Sequence, residues 1–188
     1  MINSMVTDST QLSFRSAVLE DAGRIAELHA DSWRRHYRGA YADSFLDGDV
    51  ITDRQQLWST RLAAPEGSAT ILAEDDEGLA GFVHVMFDHD DRWGSLVDNL
   101  HVRFARKRSG VGRTLITAAA SAVTEQAERP ALHLWVLEQN TAAQGFYAAV
   151  GGVQVERGLV PPPGGVEGRL NGSPACLRFA WPEPVTIR

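Results

Sequence analysis

Six residues near the middle of the chain, Lys107-Arg108-Ser109-Gly110-Val111-Gly112, combine glycine with positive charge just ahead of an amphipathic segment. That combination suits a phosphate. Glycine lets the backbone come close to a bulky anion and accepts positive φ. The N–H groups that open the following helix have no partner inside it and point, with the helix dipole, at the anion. Arg106 and Arg113 add to the positive field. No Gly-Lys-Ser/Thr ending follows and the third glycine of the dinucleotide fingerprint is missing, which disfavours nucleoside triphosphate hydrolysis and dinucleotide binding.

A second chemical group lies just upstream. Strict alternation along residues 96–102 puts Leu96, Asp98, Leu100 and Val102 on one face of a strand. A carboxylate on an apolar face is costly unless it is paired or used. Asp98 is therefore read either as a reactive carboxylate or as a hydrogen-bonded structural acid. The run Trp-Arg-Arg-His-Tyr-Arg-Gly-Ala-Tyr (residues 33–41) is aromatic and basic. Trp33 and Tyr37, four residues apart, serve either to pack against a sheet or to form the lip of a pocket. His84 reads as a satisfied strand histidine and Cys176 as a core residue. Asp88-His89-Asp90-Asp91 reads as a solvated turn, because no partner set with metal-site spacing appears elsewhere and no metal is expected.

Several elements must position these groups. A strand starts at residues 12–15, and a helix follows over residues 21–36 with an apolar stripe at Ala22, Ile25, Ala26, Leu28 and His29 and with no capping residue ahead of it. Phe45 and Leu46 lead into a second helix, started by a Thr52/Gln55 capping box and ended at Pro65-Glu66-Gly67. Residues 69–73 and 79–87 form an antiparallel hairpin, and the strand of residues 93–102 runs into the glycine turn. The helix from Gly110 extends to about Glu128, with Leu115, Ile116, Ala119, Ala122 and Val123 buried. A strand follows at residues 132–137. Asn140 then caps a helix that buries Ala143, Phe146, Tyr147 and Val150 and stops at Gly151-Gly152. Strands at residues 153–160 and 175–181 flank a proline- and glycine-rich loop. The order is an α/β mixture with an antiparallel front half, not a doubly wound fold.

The bulk numbers narrow the setting. At 188 residues one domain is expected, over residues 11–181, between a disordered tail at 1–10 and a second tail at 182–188. A net charge of -6 disfavours nucleic acid as a partner. One cysteine permits no internal disulfide, and no leader or membrane-spanning run stands out, so a cytoplasmic protein without membrane contact is expected.

The spacing also carries a resemblance. Leu100, Val102, Lys107, Gly110, Gly112 and Leu115 stand in register with motif A of the GNAT superfamily of N-acetyltransferases, Leu-x-Val-x-Pro-x-x-Gln/Arg-Gly-x-Gly-x-Gly/Ala-x-x-Leu. Asn140, Ala143, Phe146, Tyr147 and Gly151 are similar to the family's Asn-x-x-Ala-x-x-Phe-Tyr-x-x-x-Gly. The resemblance spans residues 12–181. Phe104 replaces the motif proline, Lys107 its Gln or Arg, Arg108 its first glycine, and Gly152-Val153 the usual Gly-Phe. A positive φ at Arg108 would strain it.

The resemblance implies a mixed, mostly antiparallel sheet of about seven strands (α+β), with helices on both faces and a splay between the fourth and fifth strands. It implies acetyl-CoA as acyl donor and an amine of a small molecule or protein as acceptor, attacked directly in a ternary complex. A non-catalytic acetyl-CoA-binding regulatory module is the alternative. The pyrophosphate would rest on Lys107, Arg108, Ser109, Gly110, Val111, Gly112, Arg113 and Thr114. The pantetheine arm would pair with Leu100, His101 and Val102 and touch Asn140 and Phe146, and the Val102 N–H would polarise the thioester carbonyl. Tyr147 would be the general acid and Asp98 the base, with Glu138 or a water chain as substitutes. Trp33, Tyr37 and residues 161–174 would shape the acceptor pocket. A homodimer through the last strands is left open.

Overall fold

The computed structural model describes residues 12–183 and 185–188. The expected disordered stretch at residues 1–10 lies outside the described residues. Seven strands form one sheet in the order β1-β2-β3-β4-β5-β7-β6. They are β1 (Ser13–Ser16), β2 (Ser68–Asp75), β3 (Gly78–Asp90), β4 (Gly94–Val102), β5 (Leu132–Leu137), β6 (Val153–Leu159) and β7 (Ala175–Trp181). Among the described strands of this sheet, β4 and β5 pair in parallel and the other pairings are antiparallel.

Five helices cover the sheet: α1 (Ala22–His36), α2 (Asp43–Asp47), α3 (Val50–Ala63), α4 (Val111–Gln126) and α5 (Thr141–Ala149). On one face, Ile25 and Ala26 of α1 and Trp58 of α3 pack on Leu72 and Phe82. On the other, Val111, Leu115, Ile116, Ala119 and Val123 of α4 pack on Val83, Val85 and Val97, with Phe146 and Tyr147 of α5 against the same core. The amphipathic periods of the helices set these faces.

The helix starts differ from the sequence reading. The Thr52/Gln55 box does not cap α3, which begins at Val50 after Asp49. Thr52 lies inside the helix, because Phe45 and Leu46 fold into a separate short helix that brings the chain round earlier. The absence of a cap on α1 is as expected: a 3-10 turn (Leu19–Asp21) leads in and no side chain caps the helix. The buried Asp21 carboxylate instead accepts from the Val18 N–H at 2.8 Å and pairs with Arg15 and Arg24. These partners, Arg15 first, hold its pKa well below the usual carboxylate range.

The departure that matters most lies in β4. Val83 pairs with Leu100 and His84 with Asn99, but Val85 pairs with Val97, so Asp98 is an extra residue. This β-bulge breaks the alternation. Val97 and Leu100, three residues apart where alternation expects two, both join the core beneath α4, together with Val102. Asp98 therefore does not share the face of Leu100 and Val102.

Candidate active site

β4 and β5 touch at their start and part at their ends. Gly94 lies so close to Ala131 that a Cβ there would stand 2.5 Å from the Ala131 carbonyl oxygen. Parallel pairing runs through Ser95, Leu96 and Val97 opposite Leu132, His133 and Leu134 and then ceases. β5 continues instead along β7 as far as Leu137 opposite Cys176. The bulge turns the backbone so that Arg103 donates to Ala80 O at 2.8 Å, on the β3 side. By alternation, the peptide groups of Leu100 and Val102 then face the gap. An extended ligand arm could pair with them as an added strand.

The glycine turn closes one end of this gap. A 3-10 turn (Phe104–Arg106) leads into it, and Gly110, at φ 88°, precedes α4. The first bond within the helix is Thr114 N–H to Gly110 O at 3.1 Å, which leaves the N–H groups of Val111, Gly112 and Arg113 open toward an anion. Arg108 stands at φ 64°, the left-handed region. The strain expected from the missing glycine is therefore present, at about 1–2 kcal/mol for a residue with a Cβ.

Of the basic residues, Arg106 pairs with buried Asp75 at 2.6 Å and Lys107 Nζ donates to His36 Nε2 at 2.6 Å. The Arg113 guanidinium donates to the Arg188 carbonyl. Residues 185–188 lie against α4 and α5, with Val185 N–H bonded to Pro130 O at 2.7 Å and Arg188 N–H to Val150 O at 3.1 Å. Arg108 alone of this group makes no ion pair or hydrogen bond among the described residues.

Three elements meet at Gly112. A Cβ added there would stand 3.4 Å from Phe146 Cζ and 3.7 Å from Val102 Cγ2. The end of β4, the start of α4 and the middle of α5 thus converge on a space that the missing side chain keeps open. Asn140 caps α5 by accepting from Ala143 N–H at 3.2 Å. None of the residues of α5 is fully buried, and Tyr147 packs its ring on Phe146, Phe179 and Trp181. The Tyr147 hydroxyl bonds no other described residue. Burial, with the nearby Tyr37, raises its pKa, so it is a protonated donor at neutral pH.

Asp98 points to the α3 side, where its carboxylate meets Arg61 at 2.7 Å and Asn99 Nδ2 at 2.6 Å. Trp33 is buried, with its ring 5.4 Å from Tyr37 and 4.9 Å from Tyr41, and Arg54 stacks over it at 4.3 Å. Tyr37 is half-buried, its pKa pushed up to about 12 by burial and then by the Asp98 charge. Tyr37 lies within electrostatic reach of both Asp98 and Tyr147.

One comparison decides the family. Residues 25–151 match the model of the acetyltransferase (GNAT) family. The chain belongs to the GNAT acetyltransferase family. Acetyl-CoA is accordingly the acyl donor and an amine the acceptor. The chain is 27% identical over 142 residues to YuaI, an uncharacterized N-acetyltransferase of Bacillus subtilis (strain 168), covering 73% of this chain and 78% of that protein. Among solved structures, the PaiA N-acetyltransferase of Thermoplasma acidophilum in complex with coenzyme A superposes with a TM-score of 0.67 at 17% identity, over 89% of this chain and 98% of the other. Arabidopsis thaliana NAA60 with a bisubstrate analogue gives 0.67 at 16% identity, over 91% and 97%. These likenesses bear out the expected GNAT sheet.

The remaining polar residues have structural roles. His84 bonds Thr70 Oγ1 at 2.8 Å, as expected of a satisfied strand histidine. Asp88 accepts from the N–H groups of Glu128 and Arg129, and Asp90 pairs with Arg178 at 2.8 Å. Cys176 is buried. Among the described residues no group of three or more His, Cys, Asp or Glu could hold a metal, and no helix is long and apolar enough to cross a membrane. The sequence reading missed the bulge, Arg61 and the Lys107–His36 contact. No local signal marks any of them, because each joins residues far apart in the chain.

Proposed function

We propose that GNAT chemistry in this chain runs on Tyr147 and Asp98 across the β4–β5 gap. Acetyl-CoA, when bound, supplies an activated acetyl thioester. The open N–H groups of Val111, Gly112 and Arg113, with Lys107, Arg108, Ser109, Gly110 and the Thr114 hydroxyl, hold its pyrophosphate. Leu100 and Val102 pair with its pantetheine arm, while His101 between them, expected to share in this, turns its peptide groups to β3; Asn140 and Phe146 line the other wall. The Val102 N–H offers a hydrogen bond to the thioester oxygen.

An ammonium has no lone pair, so a proton must leave before attack. Asp98 accepts it, directly or through water, and Arg61 fixes the carboxylate's direction. Tyr147 donates its O–H to the departing sulfur. Tyr37 and the edge of Trp33 face the acceptor. The single buried cysteine and the net charge of -6 support a cytoplasmic enzyme that avoids nucleic acid. The exposed Val153 and Leu159 on edge strand β6 support pairing with a second copy.

One observation carries this reading: Val102, Gly112 and Phe146 meet beside Tyr147, whose ring packs on Phe146 and whose hydroxyl bonds no other described residue. The test is Tyr147→Phe. General acid catalysis contributes about 10²–10⁴-fold, so kcat should fall by that much while calorimetric acetyl-CoA affinity holds. Unchanged kcat removes Tyr147 from the role. Acetyl-CoA binding with no transfer to any amine in a broad panel would favour the non-catalytic module.

A further inference from the structure

A cavity of about 400 Å³ opens beside the end of β5, bounded by Gly39, Glu138, Gln139, Asn171, Ser173 and Ala175. Three segments meet there: the turn after α1, the β5–α5 turn, and the loop of residues 161–174. They are bonded to one another. Ala42 N–H donates to Arg169 O at 2.9 Å, Asn171 N–H to Ala40 O at 2.8 Å, and Tyr41 bridges Leu170. The loop is thus a roof rather than a flap. The cavity adjoins Leu137, the last residue of the strand that has parted from β4.

Several side-chain oxygens of its lining are not filled by the protein. The Glu138 N–H is engaged by Ala175 O at 2.9 Å. Gln139 Nε2 donates to Arg38 O at 2.8 Å, and Asn171 Nδ2 to Gly39 O at 3.1 Å. A carbonyl can only accept, so both amide nitrogens must face the frame. Gln139 Oε1 and Asn171 Oδ1 are left, and neither accepts a hydrogen bond from any described residue. A Cβ at Gly39 would lie 3.5 Å from that Gln139 oxygen, so the glycine keeps it uncovered. Glu138 receives a two-pronged bond from Arg157 at 2.8 Å on each oxygen, which leaves further lone pairs. The Ser173 hydroxyl completes the lining. The Glu138, Gln139 and Asn171 side chains thus bring acceptor oxygens with spare lone pairs to the lining.

Resting on the transferase reading above, we propose that this cavity receives the second ammonium of a short diamine or polyamine acceptor. An ammonium carries three donors and no acceptor, the complement of this lining. A carboxylate would face those lone pairs and the Glu138 carboxylate, which repel it.

The experiment measures CoA release by the full chain with 1,4-diaminobutane, n-butylamine and 4-aminobutanoate. The expected kcat/KM for the diamine is at least tenfold that for butylamine, with 4-aminobutanoate lowest. Glu138→Gln should raise KM for the diamine several-fold while the acid limb of its kcat–pH profile stays in place; a base role for Glu138 would lower kcat instead. Butylamine or 4-aminobutanoate matching the diamine overturns the cavity assignment while leaving the transferase reading intact. Release from none of the three, nor from a broader amine panel, with acetyl-CoA still bound, overturns the transferase reading and the assignment with it. The wild-type ranking decides the matter even if the variant fails to fold.

Discussion

Replacing Arg108 with glycine and, separately, with alanine isolates the backbone of the phosphate turn from its charge. Both variants remove the guanidinium, which has no protein partner among the described residues, so neither breaks an ion pair. They differ only in what φ 64° costs. Alanine keeps a Cβ in the left-handed region, at about 1–2 kcal/mol. Glycine escapes that strain but gives back about 0.5–1 kcal/mol through its freer unfolded chain. Taking the middle of both ranges, the glycine variant should therefore be more stable than the alanine variant by about 0.75 kcal/mol, which is about 1.5–3 °C in Tm for a chain of this size. Urea unfolding with a shared m-value reads the difference directly. Affinity should move the other way: both variants lose one exposed charge-assisted contact to phosphate, worth about 1 kcal/mol or about fivefold in Kd, shrinking as salt rises. A glycine variant no more stable than the alanine variant would refute the strain argument. An acetyl-CoA Kd unchanged in both at low salt would refute the assignment of Arg108 to the pyrophosphate.

Gly112→Ala should separate folding from binding. The new methyl fits at ordinary contact distance, 3.4 Å from Phe146, and helix propensity favours it by about 1 kcal/mol. Thermal stability should therefore hold or rise while calorimetric acetyl-CoA affinity falls at least tenfold; retained affinity would remove Gly112 from the binding site. Acid should destabilise the fold through its histidines. Burial lowers His101 to about 3 and His84 to about 4, against 6.5 when unfolded, so they stay neutral while the unfolded chain binds protons. Their contribution is intact above pH 6.5 and is lost as pH falls toward 4, at up to about 1.4 kcal/mol per pH unit each. Urea midpoints from pH 7 to 5 should drop, and His84→Gln should flatten the slope; an unchanged slope would show that His84 does not titrate this way.

Much of the fold was legible along the chain because its signals are local. Period 3.6 in residues 111–126, glycine and charge at residues 107–112, Asn140 at a helix start, and short apolar runs between turn residues each report a neighbourhood of a few residues. Motif spacing then tied two such neighbourhoods to one ligand. Even the strain at Arg108 could be foreseen, since a glycine position in a turn says what φ will be required.

Tertiary structure decided what depends on registers and distant partners. Alternation assigned Asp98 to the face of Leu100 and Val102, but pairing with β3 is satisfied only by a bulge, which turns the carboxylate toward Arg61 of α3. The Thr52/Gln55 pair has the letters of a cap, yet the packing of Phe45 and Leu46 starts α3 sooner. Which oxygens the cavity at Gly39 offers depends on which carbonyls Gln139 and Asn171 reach, across 101 and 132 positions of chain. A residue's type states which hydrogen bonds it can make. Only the folded chain determines which of them are already engaged and which are left for a ligand.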